Sequence, residues 1–322
     1  MNFSKFNIAV VIPAYRTERE LPAVLKGIPA FVRHIIVVDD ASPDSSANLA
    51  AATAKRDKRI ALIRHEKNKG VGGAMVTGFK RALEIGAEIV IKVDGDGQMD
   101  PQYIPALIVP LIAGEADYAK GNRFRDFASL QQMPFVRRIG NLGLSFLTKA
   151  ATGYWNIFDP TNGYFAIRAG TLAQLPLDKI DNGYFFETSM LSHLYLLGAF
   201  VQDVTIPARY RNETSSLSVR RALFEFPFKL ARTLLKRIVL KYFIYDFSMM
   251  SVYLLTGIPL LLFGLIFGIV KWIQYYSVGL AAPTGTVILP TLSVILAIQI
   301  LLSAIDFDLN AVPRKAISKA LV

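Results

Sequence analysis

Short apolar runs alternate with longer mixed segments over the first hundred residues. Residues 8–12, 35–38, 60–63 and 89–91 are four such runs, rich in β-branched side chains and too short for helices, and they predict strands, the first and last of them buried. Between them, residues 21–28, 47–55 and 74–85 predict helices. The second is preceded by Ser42-Pro43-Asp44-Ser45, which offers Ser or Asp as N-cap. Strands alternating with helices imply βαβ units, a parallel sheet with helices on both faces, and a site beyond the carboxyl ends of the strands. Residues 116–120 predict a further strand and residues 140–151 an apolar helix.

The pattern then changes twice. Residues 209–241 mix nine Lys and Arg side chains with Leu223, Phe224, Phe226, Phe228, Leu230, Leu234 and Leu235, which predicts one or two amphipathic helices lying in an anionic interface. Residues 249–270 and 287–305 carry no charge and would span about 33 Å and 28 Å as helices, enough to cross a bilayer. Residues 274–285 between them have no Lys or Arg, whereas the outer flanks do, so the positive-inside rule places both chain ends in the cytoplasm. A buried hairpin in a soluble protein is the alternative. The expected divisions are residues 1–212, 213–246 and 247–322.

Composition sharpens this picture. Hydrophobic residues make up 52% of the 322 and mean hydropathy is +0.37, which fits a membrane portion. With no cysteine, disulfides, zinc–thiolate sites and thiol catalysis are excluded. His34, His65 and His193 lack metal-ligand spacing and read as ordinary histidines. The net charge of +11 calls for a polyanionic partner: nucleic acid, anionic lipid or a phosphorylated substrate. No helix-turn-helix, RNA-binding or zinc-finger pattern appears, so nucleic acid is not expected. Residues 8–12 are too short for a signal peptide and lack a small-residue cleavage site, so none is expected.

The candidate chemistry centres on Asp94-Gly95-Asp96-Gly97-Gln98, directly after the fourth strand run. Carboxylates at i and i+2 of an extended segment point the same way, and two hard oxygen donors suit Mg²⁺ or Mn²⁺ carrying a diphosphate. A plain Asp/Gly turn is the alternative. An EF-hand is excluded by Met99 and Pro105, where Gly and Glu are needed, and Gln98 argues against an aspartyl-phosphate nucleophile. The glycine loop Asn68-Lys69-Gly70-Val71-Gly72-Gly73 is neither a dinucleotide fingerprint nor a P-loop.

Pro13-Ala14-Tyr15, Val38-Asp39-Asp40-Ala41-Ser42-Pro43-Asp44, the Asn68–Gly73 loop and Asp94-x-Asp96-x-Gln98 together resemble, in order, the motifs of family 2 glycosyltransferases over about 210 residues. Arg16-Thr17 stand where that family often has Asn-Glu. The resemblance implies an α/β GT-A (Rossmann-like) catalytic domain using nucleotide-diphosphate sugars, followed here by amphipathic interfacial helices and two transmembrane helices. It implies that Pro13, Ala14, Tyr15 and Glu18 hold base and ribose. Asp40 and the loop through Asn68 and Gly70 would surround the uracil or guanine. Lys92 and Asp94 would flank the nucleotide, and Asp94 and Asp96, followed by Gln98, would hold Mg²⁺ or Mn²⁺ on the diphosphate. Asp159-Pro160-Thr161-Asn162-Gly163-Tyr164 resembles the family's acceptor-side signature and Glu187 its downstream Glu. Asp159 would then face the anomeric carbon, with a turn or N-cap as the plain alternative. Arg123, Arg125, Arg137, Arg138 and Arg209 are candidates for an acceptor phosphate. Residues 212–217 are expected to form a loop over the site.

A GT-A domain joined to two C-terminal spans is similar to the polyprenol-phosphate glycosyltransferases, which include bacterial undecaprenyl-phosphate glucosyltransferases and dolichol-phosphate mannose synthases. The two-span tail favours UDP-glucose and undecaprenyl phosphate, with GDP-mannose as the alternative donor. A processive polysaccharide synthase would carry Q-x-x-R-W, absent here. A non-catalytic membrane scaffold or lipid-binding protein would not need the carboxylates, and a nucleotidyltransferase would release pyrophosphate. Two spans leave helix faces on which a homo-oligomer could pack.

Overall fold

The computed structural model describes residues 1–122, 135–160, 162–207 and 219–319. The chain forms two compact units, Met1–Leu234 with Pro313–Val322, and Leu235–Val312.

The first unit is built on a seven-stranded sheet. Its strands are β1 (Ile8–Ala14), β2 (His34–Asp39), β3 (Ile60–Arg64), β4 (Ile89–Lys92), β5 (Tyr118–Asn122), β6 (Phe165–Arg168) and β7 (Val201–Thr205), in the order β3-β2-β1-β4-β6-β5-β7. Strands β1 to β4 run parallel, as the alternating pattern predicts. The wholly parallel sheet is corrected by β6, which runs antiparallel to both β4 and β5. Its four residues are all buried, so its hydropathy says nothing of direction.

Helices cover both faces: α1 (Leu21–Gly27), α2 (Ser46–Arg56), α3 (Gly70–Glu84), α4 (Ile104–Ile112), α5 (Phe135–Thr152) and α6 (Phe186–Leu197). Because side chains alternate along a strand, Ile8, Val10 and Ile12 of β1 enter the core shared with Leu21, Val24 and Leu107. Val11 faces the other way, towards α3. A Cβ on Gly78 would lie 2.2 Å from Val11 Cγ1, so only glycine lets that helix lie so close to the sheet. Phe79, Phe165 and Phe186 cluster on the same face, with centroids 6.1–6.4 Å apart.

The carboxyl-terminal tail returns to this unit, which the expected division at residue 247 does not anticipate. Asp117, fully buried, accepts from the backbone N–H of Phe200 (2.9 Å), Ile317 (2.9 Å) and Ser318 (3.0 Å). Thr171 Oγ1 and Ser318 Oγ lie 3.1 Å apart. One carboxylate thus ties the start of β5 to the turn before β7 and to the tail.

The second unit begins within α7 (Val219–Val239), passes through a π-helical turn at Leu240–Tyr245, and forms a hairpin of α8 (Met249–Val278) and α9 (Thr284–Asn310). Both hairpin helices outrun the uncharged runs read from sequence, and Lys271 lies inside α8. In their most apolar windows only 11% and 22% of residues are buried, which disfavours the buried-hairpin alternative: a soluble core helix would be mostly covered. Gly264 is held against Pro290 and Val294, where a Cβ would come within 3.0 Å of the Pro290 carbonyl oxygen. Arg237 grips Asp308 through both guanidinium ends (2.6 and 2.9 Å), and Tyr242 donates to the same carboxylate at 2.6 Å. This buried fork fastens the end of α7 to the last turn of α9.

Replacing Asp117 with Ala strands three backbone donors. We expect a loss on the order of 2–4 kcal/mol, read as a lower thermal midpoint of the full chain in detergent, and an unchanged midpoint would show that the tail is not held there.

Candidate active site

The parallel strands deliver their chemistry at one edge. The sheet order turns back between β1 and β4, and in such sheets the crevice at that point is the ligand site. Tyr15 follows β1, Asp39 ends β2, and Asp94 and Asp96 follow β4. The loops there are strained: Arg16 and Ala41, both non-glycine, have φ of 56° and 54°. Tyr15 is 43% exposed, with the Arg16 guanidinium 5.4 Å from its ring centroid.

The first two loops are laced together. Ser42 Oγ accepts from Arg16 N, Ser46 Oγ from Thr17 N, and Asp44 from Glu18 N. Glu18 is used by the chain, since its carboxylate accepts from Ser45 N at 3.1 Å. Burial pushes the Asp44 carboxyl up, but hydrogen bonds from the Ser42 and Ser46 hydroxyls and the Ser46 and Glu18 amides outweigh it and hold it at about 2.

Asp40 and the glycine loop are bonded to one another. Asp40 is buried, and its two oxygens accept from Lys69 N and Gly70 N, both at 2.8 Å, with His65 Nδ1 at 2.7 Å. Gly72 N and Gly73 N donate to the Asn182 carbonyl. Asn68 Oδ1 accepts from Gly70 N, and Asn68 Nδ2 donates to the Asp40 carbonyl. The amino end of α3 is therefore capped by the chain itself. Gly70 (φ 83°) and Gly72 are required because a Cβ would collide with the backbone of residues 181–182. Asp39 belongs to the second motif, at the end of a strand, but the sequence assigns it no role of its own there. It is buried, with its carboxyl pushed up by burial, and its Oδ1 has no hydrogen-bond partner among the described residues. It stands at the last position of β2.

β4 ends at Lys92, so Asp94 and Asp96 sit in a turn, and the same-face pair along the strand direction is Lys92 with Asp94. Lys92 is 1% exposed and its ammonium does not open to a nucleotide. Its Nζ lies 2.6 Å from Asp94 Oδ1 and 3.4 Å from Glu187 Oε1. Burial lowers the lysine pKa, but the two carboxylates raise it further, and the net shift is upward. Glu187 stands in the first turn of α6, where an acidic side chain is favoured. A Cβ on Gly163 would meet Lys92 Nζ at 2.5 Å, so the acceptor-side glycine closes the same cluster. Asp96 is half-buried and accepts from Gln98 N at 3.0 Å, and Gln98 is exposed. Pro13 and Ala14 line the loop from behind, with Gly95 packed on the Pro13 carbonyl.

A second buried cluster lies beside the first. Asp159 is fully buried and does not present itself to solvent. Lys120, also fully buried, donates to the Asn162 carbonyl. Burial lowers its pKa to about 8 against the opposing pull of Glu187, Asp159 and Asp203. Asp203 accepts from Phe158 N (2.8 Å) and Asn122 Nδ2 (3.0 Å), and burial pushes its carboxyl up. Neither Lys120 nor Asp203 belongs to a motif, and only the pairing of β5 with β7 brings them together. Arg123, Arg125, Arg209, Thr161 and residues 212–217 lie outside the described residues, as do the side chains of Arg137 and Arg138.

The mixed α/β sheet and its crevice are those of a glycosyltransferase of the GT-A fold. Residues 9–175 match the Glycosyl transferase family 2 model, and the chain belongs to that family. It is 34% identical over 181 residues to the UDP-N-acetylglucosamine–dolichyl-phosphate N-acetylglucosaminyltransferase of Methanococcus voltae, covering 52% of this chain and 72% of the relative. It is 31% identical to the undecaprenyl-phosphate mannosyltransferase of Micrococcus luteus, covering 62% and 82%. Among solved structures, glucosyl-3-phosphoglycerate synthase from Mycobacterium tuberculosis, solved with Mn²⁺, UDP-glucose and phosphoglyceric acid, superposes with a TM-score of 0.54 at 21% identity, covering 73% and 81%.

Lys120 gives a pH test. Between about pH 8 and the unfolded value of 10.5, the unfolded chain binds a proton that the folded chain does not, so this group makes stability rise with pH in that window. Thermal midpoints measured against pH should show that rise in the native chain and lose it in Lys120→Met; parallel curves would contradict the assignment.

Proposed function

We propose that the chain transfers a hexose from a nucleoside-diphosphate sugar to a polyprenyl phosphate at the cytoplasmic membrane face, with inversion. The observation that carries this reading is the combination, in one chain, of a carboxylate pair at the sheet's turning point and an apolar hairpin left uncovered along its length. The names of the relatives, which act on dolichyl and undecaprenyl phosphates, support the acceptor. The two-span tail supports glucose from UDP-glucose. A second reading, mannose from GDP-mannose, is supported by the mannosyltransferases among the relatives, including a polyprenol monophosphomannose synthase of Mycolicibacterium smegmatis at 29% identity.

In this reading Tyr15 stacks on the base. Asp39 accepts from a base N–H through its unpartnered oxygen, since the Asp40 carboxylate is occupied by the chain. The reaction is one in-line displacement: an acceptor phosphate oxygen bonds to the anomeric carbon as its bond to the nucleoside diphosphate breaks. That phosphate has a second pKa near 6 and is already ionised at neutral pH, so no general base need deprotonate it. Glu187, held by Lys92, stands where it can steady positive charge on the sugar, and Asp159 orients the acceptor side.

The donor set fits Mg²⁺ or Mn²⁺ only in part, because two carboxylates need the diphosphate to complete the coordination. Among the described residues no group of three acidic or histidine side chains is placed to hold a metal ion by itself. Asp96 would be the principal ligand, since Lys92 already occupies Asp94 Oδ1. When bound, the cation supplies charge neutralisation for the departing diphosphate.

Both termini are assigned to the cytoplasm. The basic outer flanks support this, and so does the tail after α9, bonded to Asp117 in the unit that begins at residue 1.

Radiolabelled sugar should move from UDP-glucose into organic-extractable lipid in the presence of Mg²⁺ or Mn²⁺. Label from GDP-mannose alone would establish the second reading, and no lipid label from either donor would overturn the acceptor assignment. Asp96→Ala should cut transfer by about a thousandfold with the chain still folded; undiminished transfer would refute the metal role.

A further inference from the structure

Sequence spacing marks His65 as an ordinary histidine, yet the structure gives its ring two fixed partners. It follows β3 directly, and its side chain is only 4% exposed. Nδ1 lies 2.7 Å from Asp40 Oδ1, and Nε2 lies 2.9 Å from Thr77 Oγ1. Thr77 stands in the second turn of α3 and bonds back to the Gly73 carbonyl at 3.0 Å. The backbone N–H of His65 donates to the Asp39 carbonyl at 2.9 Å. One residue is thus joined to both acids at the end of β2 and to the helix that the glycine loop opens.

The tautomer follows from the partners. A carboxylate only accepts, so Nδ1 is the donor to Asp40. Asp40 then takes three N–H groups, from His65, Lys69 and Gly70. The two backbone donors come from a loop rich in glycine, which has little stiffness of its own. The ring is the donor anchored at the edge of the sheet. Asp39 and Asp40 are neighbours at a strand end, so their side chains point to opposite sides. With Asp40 held on the loop, Asp39 takes the other side, where its Oδ1 has no hydrogen-bond partner among the described residues.

We propose that His65 is a positioning residue for the nucleotide half of the donor: by holding Asp40 on the amino end of α3, it leaves Asp39 as the acid that meets the base. A histidine buried for packing alone would need no such partners. Here both ring nitrogens and the backbone N–H go to groups that fix the two acids and the loop beside them. The inference rests on the reading of this crevice as a nucleotide site, but not on which sugar or lipid is used.

The test compares two polar substitutions in the full chain in detergent. His65→Asn keeps an amide N–H where Nδ1 stands. His65→Gln carries its amide out towards Thr77 and leaves Asp40 without its third donor. UDP and GDP, each with Mn²⁺, are titrated by calorimetry, and the nucleotide that binds the native chain is followed. His65→Gln should weaken it at least about tenfold, and His65→Asn should stay within about threefold of native. In transfer assays the His65→Gln loss should fall on donor KM and not on kcat. Amide exchange at Lys69 and Gly70 should quicken at least about tenfold in His65→Gln, while the amides of β1 and β4 keep their native rates. Native-strength binding in His65→Gln would overturn the proposal, as would equal losses in the two variants or a loss confined to kcat. A native chain that bound neither nucleotide would overturn the nucleotide reading of the crevice and this inference with it, an outcome distinct from native-strength binding in the variant.

Discussion

A buried ammonium organises the catalytic unit. Lys92 ends the central strand β4 with its charge removed from solvent, and such a charge is tolerable only if carboxylates face it. Asp94 and Glu187 do so from opposite sides of the sequence, one in the loop after β4 and one in the first turn of α6. The pairing fixes the Asp94 carboxylate against that of Glu187. Gly163, from the acceptor signature, has to be small because the lysine occupies the space a side chain would take. Three segments distant in sequence are thereby held in one geometry, and pre-set charge of this kind is what a transition state with developing charge requires.

Much of the frame was legible because it rests on local signals. Strands β1, β2 and β4 are buried on both faces and read as continuous apolar runs, and the loops beyond them carry the residues the motifs name. The two spans announce themselves by length and absence of charge. What the sequence could not disclose depends on contacts between distant segments. The direction of β6 follows from its place between β4 and β5, since its residues are buried whichever way it runs. Asp40 and Asp39 are adjacent and identical in type, and only the position of the α3 amides decides that Asp40 caps a helix while Asp39 keeps an open oxygen. Lys120 and Asp203 meet because β5 and β7 pair, and no motif records that.

The same reasoning explains the return of the tail. A residue such as Asp117, just before a strand, reads from sequence as an ordinary turn acid. Folding buries it completely, and a buried carboxylate has to find donors. It takes one from Phe200 and two from the segment after the second span. In the hairpin unit, Asp308 is satisfied by Arg237 and Tyr242 in the same manner. Each unit thus satisfies a buried acid with partners far off in sequence.

If the Lys92 ammonium holds Asp94 and Glu187 in register for transfer, its loss is read in single-turnover transfer at saturating donor in Lys92→Met, with near-ultraviolet circular dichroism on the same sample to establish that the chain is folded. We predict a rate at least about a hundredfold below that of the native chain, with donor binding changed much less. A folded Lys92→Met protein that transfers sugar at the native rate would contradict that role.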